Sequence, residues 1–391
     1  MRATRAAACR APPAVAKRVL FFGGDRVSVV ALRGLADRAA KQGGHIEVVA
    51  PPAHVGPANP VYDFCAERGI KVHYVTDPRK ITRQSLPLDD PGGLGSASFD
   101  ASVVVSFRYF LPNWLLDAVP PAVNMHPSLL PKYRGASPLV EAMKRNDSES
   151  GVSIVKVLPQ ELMDCGDILA QRAVAVPPAM DMREYFPMMT ALGRDVLLET
   201  LDDLGARWAA AAPQPNKVPF REDPFHAPLH TRNSSRLNVL DMTGEQAFGL
   251  WRAFVDSHPP FALFDKLATP IGKHIKSEAK RAPVRIVINE ALPRAAVPHV
   301  FAELDEAEAR ENAGGSLFGP GTVYVPKCAP HTVAIHCEWG WLLAARVTLH
   351  GGHHQEAGEL AAGCELRPGK VWPGVILTPP FRLPGDGGND A

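Results

Sequence analysis

"RVLFFGGDRVSVVALRGLADRAAKQ", Arg18 to Gln42, decides the fold class. A short apolar run closes on two glycines and an aspartate, and from Val27 onward the apolar residues change to helical spacing. Working outward, "HIEVVA" (His45–Ala50), "KVHYV" (Lys71–Val75) and "DASVVVSF" (Asp100–Phe107) repeat the strand-like pattern between helix-like stretches. Apolar strands alternating with helices predict an α/β unit built on a parallel sheet. The Gly23-Gly24-Asp25 turn lacks G-x-G-x-x-G spacing, so a plain tight turn accounts for it at least as well as a ligand-binding loop does.

Composition sets the outer limits. With 391 residues, 46% of them hydrophobic, the chain can bury a substantial core and is long enough for two domains. Lys+Arg (42) and Asp+Glu (41) nearly cancel, so the whole molecule has no basic field of the kind a dedicated nucleic-acid binder presents, although a local patch remains open. Six cysteines without C-x-x-C or zinc spacing predict a reduced compartment and no structural metal. The "HGGHHQE" stretch, His350 to Glu356, is bent by glycines and is not read as a ligand set. No apolar run approaches the length of a membrane span, and no membrane partner is expected. The opening "MRATRAAACRAPPAVAKR" carries Arg2, Arg5, Arg10, Lys17 and Arg18 and no acid, which suits an organelle import peptide; the alternative is a basic tail. Residues 1–17 are therefore expected to be removed on import, with a mitochondrial-matrix location ahead of plastid or cytoplasm.

In α/β sheets the polar loops at the carboxyl ends of strands carry the chemistry. "AVNMH" (Ala122–His126) reads as such a strand, and its period-2 alternation sends Asn124 and His126 to one face. Farther along, the strand "VSIVKV" runs into a loop with Glu161, Asp164 and Asp167. A carboxamide, an imidazole and a carboxylate can converge there, although an isolated Asn-x-His is more often structural.

Three separated elements in order, N-x-H (Asn124 to His126), "SLLPKYRG" (Ser128–Gly135) and "LMDCGD" (Leu162–Asp167), resemble the signature of the folate-dependent formyltransferases. The resemblance implies that Asn124, His126 and Asp164 are catalytic, with Met163 where leucine is commoner. It implies that 10-formyltetrahydrofolate is held by Ser128, Leu129, Leu130, Pro131, Tyr133, Gly135, Leu162 and Asp167. No metal and no covalent enzyme intermediate are needed, and Cys165 is read as a small apolar residue. Pro138 in "RGASPL" favours a tRNA or sugar-nucleotide acceptor over glycinamide ribonucleotide, and the strand-like runs "VRIVI", "GPGTVYV" and "HTVAIHCEWGWLLAARVTLHG" resemble the small OB-like β-barrel appended in the methionyl-tRNA branch. Hydrolysis of the folate, or a small amine as acceptor, is the alternative.

These readings give a presequence at 1–17, a Rossmann-like catalytic domain at 18–208, a linker at 209–235 and a β-barrel tRNA-binding domain at 236–391, expected to act as a monomer. Lys132 and Arg134 beside the reaction centre, and Lys273, Lys276, Lys280 and Arg281 in "GKHIKSEAKRAPVR", are the expected tRNA phosphate contacts. Two departures bear on the acceptor. "APPAHVGPANPVYDF" has no Lys or Arg where bacterial members carry a basic insertion, and Leu229 and Asn238-Val239 stand where the family commonly has Lys and Asp-Trp.

Overall fold

A computed structural model describes residues 11–52, 59–86, 99–159, 162–215, 222–223, 225–264, 284–313, 318–349, 354–363, 366–369 and 371–372. The chain divides into two compact units that interleave in sequence. The first comprises Met1–Leu139, Glu149–Ala175 and Phe186–Leu229; the second comprises Val140–Ser148, Val176–Tyr185 and His230–Ala391. A single cut near residues 209–235 was expected instead.

The first unit runs β1 (Arg18–Phe22), α1 (Arg26–Gln42), β2 (His45–Ala50), α2 (Pro60–Arg68), β3 (Lys71–Tyr74), β4 (Ala101–Val104), α3 (Asn113–Ala118) and β5 (Ala122–His126). After α4 (Pro138–Lys144) come β6 (Glu149–Lys156), β7 (Ile168–Ala175), α5 (Met182–Asp202) and α6 (Leu204–Ala209), with α4 and the first turn of α5 straddling the division. Among the described residues its sheet has the order β3-β2-β1-β4-β5-β6-β7. Strands β1 to β5 pair in parallel, as their continuous apolar runs predict, with Leu20, Phe22 and Val49 fully buried. The expected parallel sheet is mixed, however, because β6 and β7 join antiparallel. β5 therefore has a parallel neighbour on one side and an antiparallel one on the other, with Val123 beside Lys156 and His126 beside Ser153.

The turn after β1 is structural. Asp25 caps α1 by accepting from the amides of Val27 and Ser28, both at 2.9 Å, while the Ser28 hydroxyl accepts from the Asp25 amide at 2.7 Å. A carboxylate thus already occupies the helix N-terminus where a dinucleotide-binding fold would seat a phosphate.

The N-terminal expectation needs correction. Ala16 is fully buried, its amide donates to the Leu201 carbonyl at 3.1 Å, and its carbonyl accepts from Arg38 Nη1 at 2.7 Å. The Gly205 amide also donates to the Ala14 carbonyl at 3.3 Å. Ala14 to Lys17 thus belong to the folded unit, and a cut after residue 17 would strip a carbonyl from a buried guanidinium. Removing residues 1–17 is expected to lower the unfolding free energy by about 1–3 kcal/mol relative to removing residues 1–12, a difference that urea unfolding measures.

The second unit contains α7 (Gly244–Phe254), β8 (Phe261–Phe264), β9 (Val284–Leu292), α8 (Pro298–Ala313), β10 (Val323–Tyr324), β11 (Val333–His336), β12 (Trp341–Leu349), β13 (His354–Glu356), α9 (Ala357–Gly363) and β14 (Val371–Trp372). Its antiparallel sheet, β14-β10-β11-β12-β9-β8 with β13 on β12, matches a small barrel-like domain. Buried Arg252 on α7 donates to the carbonyls of Met180 (2.6 Å) and Pro177 (3.1 Å) and to Asn146 Oδ1 (3.1 Å), which ties the two earlier segments into this unit. Burial raises the Glu141 carboxyl, but hydrogen bonds from His230 and Lys144 outweigh it and hold the group at about 2. Its contribution to stability is complete above the usual 4.5 and is lost as the pH falls toward 2. Glu141→Gln is accordingly expected to flatten the acid limb of a plot of urea midpoint against pH.

Candidate active site

Asn124 and His126 leave the carboxyl end of β5 on one face, and the loop between β6 and β7 brings Asp164 to them. Asn124 Nδ2 donates to Asp164 Oδ1 at 3.0 Å, and the Gly135 amide donates to Asp164 Oδ2 at 3.0 Å. His126 Nδ1 lies 3.7 Å from Asp164 Oδ2, an ion-pair distance when the ring is protonated. His126 Nε2 sits 2.8 Å from the Tyr133 carbonyl, which can only accept, so the ring carries a proton on Nε2 and turns Nδ1 toward the carboxylate. Both side chains are nearly shielded from water, His126 at 5% and Asp164 at 7% exposure. Two of the residues that order this site hold left-handed backbone, Tyr133 (φ 62°) and Asp164 (φ 58°). Asp adopts that conformation more readily than most residues.

Glycine is required at two positions. At Gly135 (φ 123°) a Cβ would lie 2.5 Å from the Ala227 carbonyl oxygen, and at Gly166 one would lie 1.7 Å from the Lys156 carbonyl oxygen. Both loops thus pack backbone to backbone, which leaves no room for a side chain.

The residues expected to hold folate divide into two groups. Ser128, Leu130 and Tyr133 are buried and shape the loop. The Ser128 hydroxyl donates to the Lys132 carbonyl at 2.6 Å, and Ser153 Oγ accepts from the Leu130 amide at 3.1 Å while donating to the Ser128 carbonyl at 2.7 Å. Gln171 adds a bond to the Leu130 carbonyl at 3.0 Å. Tyr133 donates its amide to the Phe225 carbonyl at 3.0 Å. Leu129, Pro131, Gly135, Leu162 and Asp167 keep partial exposure, and Asp167 pairs with Lys156 Nζ at 3.2 Å across the loop base. Cys165 is fully buried.

Arg134 is the clearest correction. Expected to meet tRNA, it is completely buried. Its guanidinium donates to Gln214 Oε1 through Nη2 (2.9 Å) and Nε (3.3 Å), to Asp223 Oδ2 through Nη1 (3.1 Å) and to the Pro215 carbonyl (3.3 Å). Lys132 is exposed, while Lys273, Lys276, Lys280 and Arg281 lie outside the described residues, as does the His350–His353 part of the histidine-rich stretch. Among the described residues no group of His, Cys, Asp or Glu is arranged to hold a metal ion.

Part of the stretch 209–235, expected to be a linker, packs against the site at Ala212, Gln214, His226 and Ala227. Ala212 bridges to Ile168, Ala227 bridges to Gly135, and His226 Nδ1 lies 3.0 Å from the Arg134 carbonyl. Gln214 Nε2 donates to the carbonyls of Asp164 and Gly166, each at 2.7 Å. Sequence reasoning missed Gln214, Asp223 and Ser153. Nothing in an Ala/Pro-rich run singles out a glutamine.

A family model described as formyl transferase matches residues 65–201. The mitochondrial methionyl-tRNA formyltransferase of Rattus norvegicus is 30% identical over 330 residues, covering 83% of this chain and 73% of that protein. The chain belongs to the formyl transferase family. The methionyl-tRNA formyltransferase of Streptococcus pyogenes serotype M6 is 34% identical over 189 residues, which cover 47% of this chain and 58% of that relative's length. Among solved structures, the N-formyltransferase of Helicobacter canadensis, in complex with folinic acid and dTDP-3-aminofucose, superposes with a TM-score of 0.51 at 13% identity, covering 84% of this chain and 98% of the other. That likeness speaks for the fold alone.

Because Arg134 is one half of a buried ion pair with Asp223, itself 7% exposed, Arg134→Met is expected to destabilise the protein by about 3–5 kcal/mol. Lys132→Met is expected to change stability by less than about 0.5 kcal/mol. Denaturant midpoints of the two variants decide between a buried role and a surface one.

Proposed function

We propose that this formyl transferase moves the formyl group of 10-formyltetrahydrofolate to the α-amino group of methionyl-tRNA, in a mitochondrion. The convergence of Asn124, His126 and Asp164 at one shielded point carries the reading. Support for the acceptor comes from the methionyl-tRNA formyltransferases among its relatives, mitochondrial ones included.

The residue chemistry suits direct transfer. As the amine nitrogen attacks the formyl carbon, the carbonyl π pair moves onto oxygen. One N–H of the Asn124 amide is committed to Asp164; the other, with Nδ1–H of a protonated His126, is available to the oxygen that gains charge. The Asp164 carboxylate, steadied by Asn124 and the Gly135 amide, balances the imidazolium and takes the proton the attacking nitrogen releases. Collapse of the tetrahedral species then breaks the bond to the folate nitrogen, which leaves with the proton passed on from Asp164, so that tetrahydrofolate forms and the carboxylate is restored. Lys132, exposed next to the site, is the proposed phosphate contact, together with the basic run Lys273, Lys276, Lys280 and Arg281; Arg134 is withdrawn from that role.

Incubating the protein with 10-formyltetrahydrofolate, with and without methionyl-tRNA, and measuring formylmethionyl-tRNA and free formate tests the reading. Tetrahydrofolate should appear in step with formylmethionyl-tRNA. Asn124→Ala is expected to lower kcat by about a hundredfold to a thousandfold through loss of one oxyanion donor, and Asp164→Ala to lower it by about a hundredfold to ten-thousandfold through loss of the proton acceptor. Formate release that needs no tRNA would replace the proposal with hydrolysis.

A further inference from the structure

We infer that Gln214 is a positioning residue for Asp164, and that Arg134 sets the direction in which its amide points. This rests on the proposed role of Asp164 as the group that takes the proton. The side-chain carboxylate of Asp164 is met by Asn124, Gly135 and His126, but its backbone, in left-handed conformation at φ 58°, needs a restraint of its own. Gln214 supplies it. Its Nε2 carries two hydrogens and donates both, to the carbonyls of Asp164 and Gly166, each at 2.7 Å. Those two carbonyls flank buried Cys165, so a single amide clasps the loop on both sides of it.

A primary amide can be turned end for end at little cost unless its neighbours distinguish nitrogen from oxygen. Arg134 makes that distinction. Its guanidinium has only donors, two of which face Gln214 Oε1, so the oxygen is held on the arginine side and the nitrogen is left for the loop carbonyls. Gln214 is 4% exposed and Arg134 is fully buried, so water is poorly placed to replace either partner. The relay begins in the loop after β5, crosses the segment after α6 and ends on the backbone of the residue that faces Asn124 and His126. Arg134 thus serves the reaction without touching a substrate.

Gln214→Glu separates this role from packing. The carboxylate has nearly the same shape and keeps its bonds to Arg134, but it sets oxygen against the two carbonyl oxygens in place of N–H. The test compares wild type, Gln214→Glu, Asp164→Ala and the double variant in formyl transfer and in formate release. Backbone hydrogen exchange of residues 162–167 and of Gly135 is followed in parallel. Gln214→Glu is expected to lower kcat by about tenfold to a hundredfold, because small misplacements of a reacting group carry losses of that order. The KM for the folate should stay within about twofold. Exchange at 162–167 and Gly135 should rise by about tenfold as the loop loosens. In the Asp164→Ala background the second substitution should remove nothing more, since the relay acts only through Asp164. Unchanged exchange, wild-type kcat, or losses that multiply in the double variant would overturn the inference. If the wild type formylates no methionyl-tRNA, the proposed acceptor fails, and hydrogen exchange, with formate release, still decides the role of Gln214.

Discussion

A carboxylate nearly closed off from water is the constraint on which the first unit is organised. Moving Asp164 out of water is costly unless its oxygens are received by donors, and each oxygen is: Oδ1 by the Asn124 amide, Oδ2 by the Gly135 amide, with His126 Nδ1 beyond. Meeting that requirement dictates much of the surrounding architecture. β5 has to end where it does for Asn124 and His126 to face the loop, Gly135 has to adopt a conformation open to glycine, and Gly166 has to let the loop lie against the Lys156 carbonyl.

Layers of support lie behind this first ring of contacts. Tyr133 fixes the imidazole through its carbonyl, Ser153 and Gln171 hold the bend at Leu130, and Gln214 holds the backbone of Asp164 and Gly166. Most of these bonds run from a side chain to a backbone carbonyl or amide. They therefore specify where the chain goes, and they leave the side chains of Asn124, His126 and Asp164 facing one another. The mixed sheet contributes in the same way. β6 runs antiparallel to β5 with Lys156 beside Val123, so the loop after β6 leaves beside the start of β5 and reaches Asn124 through Asp164.

Buried cations illustrate how a charge can mislead a reader of sequence. Arg134 stands in a polar, glycine-containing loop next to an exposed lysine, and Arg252 lies on an amphipathic helix. Each is spent inside the protein, the first on Gln214, Asp223 and Pro215 and the second on the carbonyls of Met180 and Pro177. A guanidinium offers five donors in a planar fork, which suits it to gathering several acceptors from distant segments as well as to meeting a phosphate. Nothing local separates the two uses. At the N-terminus Ala16 is packed against Leu201 and Arg38, so the expected cut after residue 17 would fall within the folded unit.

The sequence by itself determined the α/β class, the strand that carries Asn124 and His126, and the pairing of that strand with an acidic loop. Each of those is written in local periodicity or in a short ordered motif, and apolar alternation acts over a few residues at a time. Tertiary structure alone decided that β6 and β7 run antiparallel, that residues 140–148 and 176–185 belong with the C-terminal unit, and that Arg134 turns inward to Gln214 and Asp223. The last of these depends on partners brought together by folding from positions 80 and 89 residues away. A hydrogen bond requires a distance of about 3 Å and a direction, and neither can be read from the order of residues along a chain.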